Sequence, residues 1–301
     1  MAFNVGPSIN QWVSFGFTNG GTFLVEKCVH YPDESKIKNE ILNNRQRKNM
    51  HRLSVIIITH NEEKNIEACI RSVSRADEIV VVDDFSTDRT REIAAAMGVV
   101  VFTNAWTNFS DQKAFALSKA SHNWVLSLDA DERVSPELMA EIQSLLQGTP
   151  ACDGYTISRK SFYLGRWIRH CGWSPGYQLR LFQKAKTHLT PVKVHEGFVV
   201  EGTVCRLQNQ ILHYTVRSLD DHFKKLFLYS TLEAEEKAGH KTAHWYDIFL
   251  HPLSTFLRNY ISLSGFKDGK EGFLLSVMTA LGNAMLYLKL FEIQRIKRPI
   301  P

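Results

Sequence analysis

Two aspartates one residue apart, Asp129 and Asp131, follow the apolar run Trp124-Val125-Leu126-Ser127-Leu128. Carboxylate oxygens at that spacing suit Mg²⁺ or Mn²⁺ and, through the ion, a diphosphate. A cation held there neutralises charge on a departing nucleotide diphosphate. A bare D-x-D also occurs as a solvated loop or a helix cap, so its weight comes from standing at the end of an apolar run. Asp83 and Asp84 close another such run, residues 79–82. A carboxylate there suits the hydrogen bonds of a base or ribose, or it caps the turn through Ser86 and Asp88. Thr59, His60, Asn61 and Glu62 end the run 53–58 and open a helix, a place where a polar ligand sits well. Capping alone accounts for Asn61 nearly as well. Lys113, after Gln112 at the start of a further helix, reaches a phosphate or lies on a solvated face.

The elements that must position these residues follow from the hydrophobic pattern. The β-branched run 53–58 predicts a buried parallel strand. A helix over 61–75, a strand over 79–82, a helix capped by Ser86 and closed by Gly98, and a strand over 99–102 follow in turn. A helix over 110–120, the strand 124–128 and a helix opened by Ser135-Pro136 complete this half. Strands alternating with helices predict an α/β fold, a mostly parallel sheet with helices on both faces. Ligands bind such sheets beyond the carboxyl ends of the strands, which selects the loops 59–62, 83–88 and 129–131. Residues 151–215 read as shorter strands separated by Gly, Pro and aromatics, an irregular β region completing the site. From Ser218 the chain turns helical.

Three regions follow: a loosely ordered extension over 1–50, a catalytic domain over 51–215 with halves 51–150 and 151–215, and a helical region over 216–301. The extension is either native or a fused leader, and no signal peptide is read in it. Of 301 residues 44% are hydrophobic and 22% charged, ordinary for a protein with a sizeable core. A net charge of +5 fits an anionic ligand. No Lys/Arg stripe with interleaved aromatics argues for nucleic acid. Five cysteines without C-x-x-C spacing predict neither structural zinc nor a disulfide framework, and a reducing cytosol. Residues 273–290 are largely apolar but carry Ser276, Thr279, Asn283 and Lys289. They read as a helix packed on the protein or lying at a membrane surface, joined there by residues 244–260 with Trp245 and Phe249.

The stretch from Ser54 to Ala94, "SVIIITHNEEKNIEACIRSVSRADEIVVVDDFSTDRTREIA", then "QKAFALSKASHNWVLSLDADERVSPEL", resembles the inverting family 2 of glycosyltransferases. The later runs "GRWIRHCGW", "YQLRLF", "VHEGF" and "LHYTVRSLDDHFKKLFLYSTLEAEE" resemble its lipopolysaccharide core-biosynthesis glucosyltransferases. The resemblance spans Leu53 to Glu292. It implies a GT-A type, Rossmann-like fold, a UDP-sugar donor, Mg²⁺ or Mn²⁺ at Asp129 and Asp131, and inversion at the anomeric carbon. It also implies a glycan or lipid-linked acceptor; the cysteine usage and the apolar runs 244–260 and 273–290 add the expectation of a cytoplasmic enzyme, peripheral on the membrane. It places the nucleotide at residues 59–62 and at Asp83 or Asp84.

One departure bears on catalysis. Members of the subgroup often carry an Asp after the Trp-x-Pro stretch, where this chain has Gly176. An inverting transferase needs a base for the acceptor proton, and the nearest alternative is Glu196. His195 beside it completes a metal shell or is a hydrogen-bonded structural histidine. Arg180 grips a diphosphate with its planar fork or fixes its strand through a buried carboxylate. Trp167, Trp173 and Tyr177, interleaved with Arg166, Arg169 and His170, fit a phosphorylated sugar acceptor or a packed core edge. Two rivals stand: a nucleotidyltransferase, disfavoured by the missing Gly-rich loop after the first strand, and a non-catalytic nucleotide-sugar or glycan-binding protein.

Overall fold

The computed structural model describes residues 51–189 and 197–296. Strand β1 (Leu53–Thr59) is buried along its whole length, which is why its sequence is a continuous run of apolar and β-branched residues. It pairs in parallel with β2 (Glu78–Asp83) on one side and β4 (Trp124–Asp129) on the other. Strand β3 (Val100–Thr103) extends the sheet in parallel beyond β2. Alternate β1 side chains serve opposite layers. Leu53, Val55 and Ile57 pack with Ile66, Cys69 and Ile70 of helix α1 (Ile66–Ser72), and Ala94 of α2 (Thr90–Ala96) joins them. Ile56 and Ile58 pack with Ala116 and Leu117 of α3 (Phe109–Lys119). Helices therefore cover both faces, as the pattern predicts.

Two helices begin later than expected. Helix α1 starts at Ile66 rather than near Asn61, because Asn61 takes a left-handed backbone, φ 52°, and its side chain serves the next loop. Helix α2 starts at Thr90 because Ser86 is tied to Asp83 and is not its cap. By contrast, Ser135 accepts from the Leu138 amide at 3.1 Å and opens α4 (Pro136–Gln147) with Pro136 in its first turn, as its sequence predicts. Asn108 does the same for α3 through Asp111.

Beyond β4 the chain adds β5 (Glu132–Val134), β6 (Gly154–Tyr163), β7 (Arg166–Trp167) and β8 (Gly176–Gln183). Strands β9 (Thr187–Leu189) and β10 (Phe198–Val200) form a separate antiparallel ribbon, and β11 (Val204–Val216) returns to the main sheet. The sheet order is β3-β2-β1-β4-β8-β6-β11-β5, with β7 on β6. Most of the runs expected as irregular β structure thus join the same sheet, the run beginning at Phe198 excepted. They pair β8 antiparallel to β4 and to β6, and β11 parallel to β6.

The expectation against disulfides is corrected. Cys152 and Cys205 are bonded across 53 residues of sequence. Strand pairing sets Cys205 opposite Tyr155, close to Cys152, a neighbourhood that sequence spacing does not reveal. Cys69 and Cys171 are free and buried.

The C-terminal region holds α5 (Leu219–Lys237), α6 (Asp247–Leu257) and α7 (Gly269–Ile296). Helix α7 lies against both others: Leu286, Tyr287 and Leu290 pack with Ala234 of α5, and Lys289 Nζ donates to Phe227 O at 2.8 Å. A short turn, Gly265–Asp268, precedes α7. Gly265 cannot be replaced there, since a Cβ would sit 2.6 Å from Cys171 Sγ and 2.7 Å from Asn259 O.

Candidate active site

Parallel pairing brings the expected strand ends into one row. Thr59 lies opposite Asp83, and Ile58 opposite Asp129, so the loops after β1, β2 and β4 emerge side by side. Within this row the two acidic pairs differ.

Asp83 is fully buried. Its Oδ1 accepts the Ser86 amide at 2.8 Å, its Oδ2 accepts the Ser86 hydroxyl, and Arg91 Nε lies 3.6 Å away. Both oxygens are thus spent on its own turn, the capping role that the sequence suggests for Asp84. Asp84 is partly exposed; it accepts the Trp106 amide at 2.9 Å and lies 3.3 Å from His60 Nδ1. Asn61 Oδ1 accepts the Thr87 amide at 2.8 Å and its own amide donates to Ser86 Oγ at 2.8 Å, so it locks the two loops together. Glu62 accepts from Asn65 Nδ2 at 2.6 Å, and burial raises its carboxyl above the usual range. Thr59 Oγ1 is buried without a hydrogen-bond partner. The expectation that residues 59–62 open a helix is therefore corrected: Thr59 ends β1, and residues 60–62 belong to a loop ahead of α1, pinned by side chains.

Asp129 and Asp131 are held from a distance. Arg180 on β8 donates from Nη2 to Asp129 Oδ2 at 2.8 Å and to Glu132 Oε1 at 2.7 Å. Lys113 Nζ on α3 lies 3.9 Å from Asp129 Oδ1. Burial opposes ionisation of Asp129, but Arg180 and Lys113 outweigh it and hold the carboxyl far below its ordinary value. Asp131 meets Lys225 Nζ of α5 at 3.2 Å and His213 Nε2 of β11 at 3.5 Å. Burial again opposes, and His213 with Lys225 brings the pKa to about 2. Glu132 is fully buried, accepts Arg180 and the Asp129 amide at 3.0 Å, and is pushed upward by that burial. The buried Arg180 guanidinium stays charged, since desolvation is outweighed by Glu132 and Asp129. Of the two alternatives raised for Arg180, the structure shows the second: it fixes its strand through buried Glu132, and its other contact is Asp129 of the D-x-D.

A pocket of about 180 Å³ opens beside this cluster, lined by Lys113, Gln178, Leu179, Arg180, Gly197 and Phe198. Glu196 and His195, expected as base and metal ligand, lie outside the described residues. A Cβ at Gly176 would approach Trp173 O to 3.2 Å.

The donor set can be weighed against a divalent cation. Both aspartates are ionised at neutral pH and offer hard oxygens. Among the described residues no group of three or more His, Cys, Asp and Glu side chains is arranged to hold a metal ion by itself. The two carboxylates fit an ion that draws its remaining ligands from a diphosphate and water, not one caged by protein.

The expected acceptor-side group is divided. Arg166 pairs with Glu271 at 3.1 Å, His170 pairs with Asp268 at 3.0 Å, and Trp173 packs on Tyr163. These are structural contacts. Trp167 lies between Arg169, 4.1 Å, and Lys160, 4.4 Å from its ring, and Tyr177 lies under Arg206 at 4.6 Å.

Sequence alone does not single out Glu132, His213 and Lys225. Glu132 lies three residues from Asp129, but its part in anchoring Arg180 depends on β8, while strand β11 and helix α5 alone carry His213 and Lys225 to Asp131.

Residues 54–200 match the pattern of glycosyl transferase family 2. The lipopolysaccharide core biosynthesis glycosyltransferase LpsC of Rhizobium meliloti is 30% identical over 253 residues, 81% of this chain and 94% of that protein. An uncharacterized glycosyltransferase of Rickettsia bellii is 44% identical over 258 residues, 80% of this chain and 87% of that one. Among solved structures, glucosyl-3-phosphoglycerate synthase from Mycobacterium tuberculosis with Mn²⁺, UDP and phosphoglyceric acid is 21% identical. It covers 62% of this chain and 78% of its own, at a TM-score of 0.41. With an α/β sheet ending in a row of polar loops, a D-x-D at the fourth strand and a relative matched almost end to end, the chain belongs to glycosyl transferase family 2.

Proposed function

We propose that the protein transfers a hexose from a UDP-sugar, with inversion, to a glycan or lipid-linked acceptor of the lipopolysaccharide core type. The observation that carries this reading is the D-x-D at the end of β4, ionised by cations from three other elements, two of which, Lys113 and Arg180, also line the neighbouring pocket. Residues 51–215 form the catalytic unit, and its nucleotide half is 51–150. The relative in Rhizobium meliloti is named for lipopolysaccharide core biosynthesis, which supports the acceptor class and a cytoplasmic site of action.

In this reading Thr59, His60, Asn61, Glu62 and Asp84 border the nucleoside. Asp83 acts by holding the Ser86 turn in place rather than by touching ligand. Lys113 and Arg180 face the diphosphate from the pocket wall. Asp129 and Asp131 hold Mn²⁺ or Mg²⁺, with His195 as a further candidate ligand; the ion supplies charge neutralisation on the leaving nucleoside diphosphate. An acceptor hydroxyl oxygen forms the new bond to the anomeric carbon, and the bond from that carbon to the diphosphate oxygen breaks. The hydroxyl proton passes to a base, for which Glu196 is our candidate.

Thermal shift with UDP, GDP and ADP, each with Mn²⁺, tests the donor. UDP should raise the melting temperature and EDTA should abolish the rise. Stabilisation by ADP or GDP but not UDP overturns the assignment. Glu196→Gln should lower kcat by roughly 10²–10⁴-fold with UDP binding retained; wild-type kcat in that variant removes Glu196 from the mechanism.

A further inference from the structure

Helix α6 buries none of its residues. A helix folded onto a protein in water ordinarily hides its apolar stripe, yet here the stripe faces outward. Phe249 is 67% exposed and Leu253 56%, and Ile261, in the π-helical turn Arg258–Ser262 that continues α6, is 57% exposed, spaced so that they share one face with Leu257. Trp245, 68% exposed, stands at its head. Phe266 and Phe273 continue the surface through Tyr260, whose ring lies 6.4 Å and 5.6 Å from theirs.

Charge on this surface is one-sided. Asp247 lies between His244, 3.5 Å, and His251, 3.4 Å. Asp268 is buried against His170, and Glu271 pairs with Arg166. Arg258, Lys267 and Lys270 are exposed. Between residues 245 and 281 the exposed charge is therefore positive.

We propose that the hairpin of α6 and α7 docks in the plane of an anionic bilayer. Trp245, Phe249, Leu253 and Ile261 enter the boundary between headgroups and acyl chains, and Arg258, Lys267 and Lys270 meet lipid phosphates. Tryptophan and tyrosine favour that boundary, and basic side chains add attraction to anionic lipid. Residues Gly265–Ile296 are long and apolar enough to cross a membrane. Packing between α5 and α6, with Lys289 bonded to α5, instead makes α7 the support of a surface-lying element. A second copy on the same face fits less well, because a two-fold contact presents this positive patch to itself.

Co-sedimentation of the full chain with vesicles tests the proposal, whatever the fate of the donor assignment. The chain should partition onto equimolar phosphatidylcholine–phosphatidylglycerol vesicles and far less onto phosphatidylcholine alone. The triple variant Arg258→Glu, Lys267→Glu, Lys270→Glu should lose on the order of 100-fold in partitioning onto the mixed vesicles. Phe249→Ser with Leu253→Ser should lose binding while keeping the wild-type melting temperature, since both side chains are exposed. Equal partitioning onto both vesicles, partitioning onto neither, or a wild-type dimer that the double variant dissolves overturns it.

Discussion

Asp83 at the end of β2 and the aspartates at the end of β4 look alike in sequence and stand in one row, yet they are held in opposite ways. Asp83 is satisfied by Ser86, three residues on, in a closed local turn. Asp129 and Asp131 are balanced by Arg180, Lys113, Lys225 and His213, all carried in from distant elements. Local satisfaction makes a scaffold that no ligand needs to disturb. Balance by separate side chains makes a charge cluster whose partners could be exchanged for the proposed ion and diphosphate. Position at a strand end is therefore insufficient to mark a binding carboxylate; the origin of its partners is the better guide.

Four experiments put that contrast at risk. The largest effect should come from Arg180→Met, which leaves Asp129 and Glu132 without their guanidinium. Breaking a buried pair in this way costs about 3–5 kcal/mol, read by urea denaturation. A loss below about 1 kcal/mol, the range of surface pairs, would show that Arg180 does not hold the β4 end together. Asp131→Asn should come next, with kcat lowered roughly 10²–10³-fold, as for loss of one preorganised charge-stabilising group, and a stability loss smaller than that of Arg180→Met. Full activity in this variant, or in EDTA, would remove the D-x-D from the chemistry.

The charge network also reaches α5 through Lys225, and His222 nearby reports on it. His222 is buried against the Tyr163 hydroxyl at 3.2 Å. Burial, with help from Lys225, lowers its pKa from 6.5 to about 4. A histidine kept neutral by the fold contributes stability that is complete above pH 6.5 and drains away as pH falls towards 4. The sum is about 3 kcal/mol. His222→Gln should flatten the stability profile between those two pH values; an unchanged slope would place His222 in contact with water. The smallest effect should belong to Asp83→Asn, a stability loss of about 1–3 kcal/mol from an imperfectly satisfied buried turn, with UDP affinity kept. Normal melting with abolished UDP binding would erase the distinction between Asp83 and the aspartates of β4.

Much of the region 51–150 is legible in the amino-acid sequence. The run Leu53–Thr59 is buried on both faces, so its composition alone announces a central strand, and Ser135-Pro136 announces a helix start by local capping chemistry. The helix starts at Ile66 and Thr90 are harder to read. Asn61 and Ser86 are good cap residues by type, but their side chains bond across loops more than twenty residues apart. The same limit hides His213, Lys225 and the bond between Cys152 and Cys205.

The order of residues is enough to set the alternating α/β pattern, the three loops at the strand ends and the place of the D-x-D among them. These rest on periodicity and on chemistry between near neighbours. Which acids are scaffold and which are charge centres is settled only in three dimensions, as is the outward turn of the apolar face of α6. Both depend on which distant residues strand pairing and helix packing bring within a few ångströms. No local pattern encodes those distances, because burial and Coulomb energies are set by neighbours in space and not by neighbours in the chain.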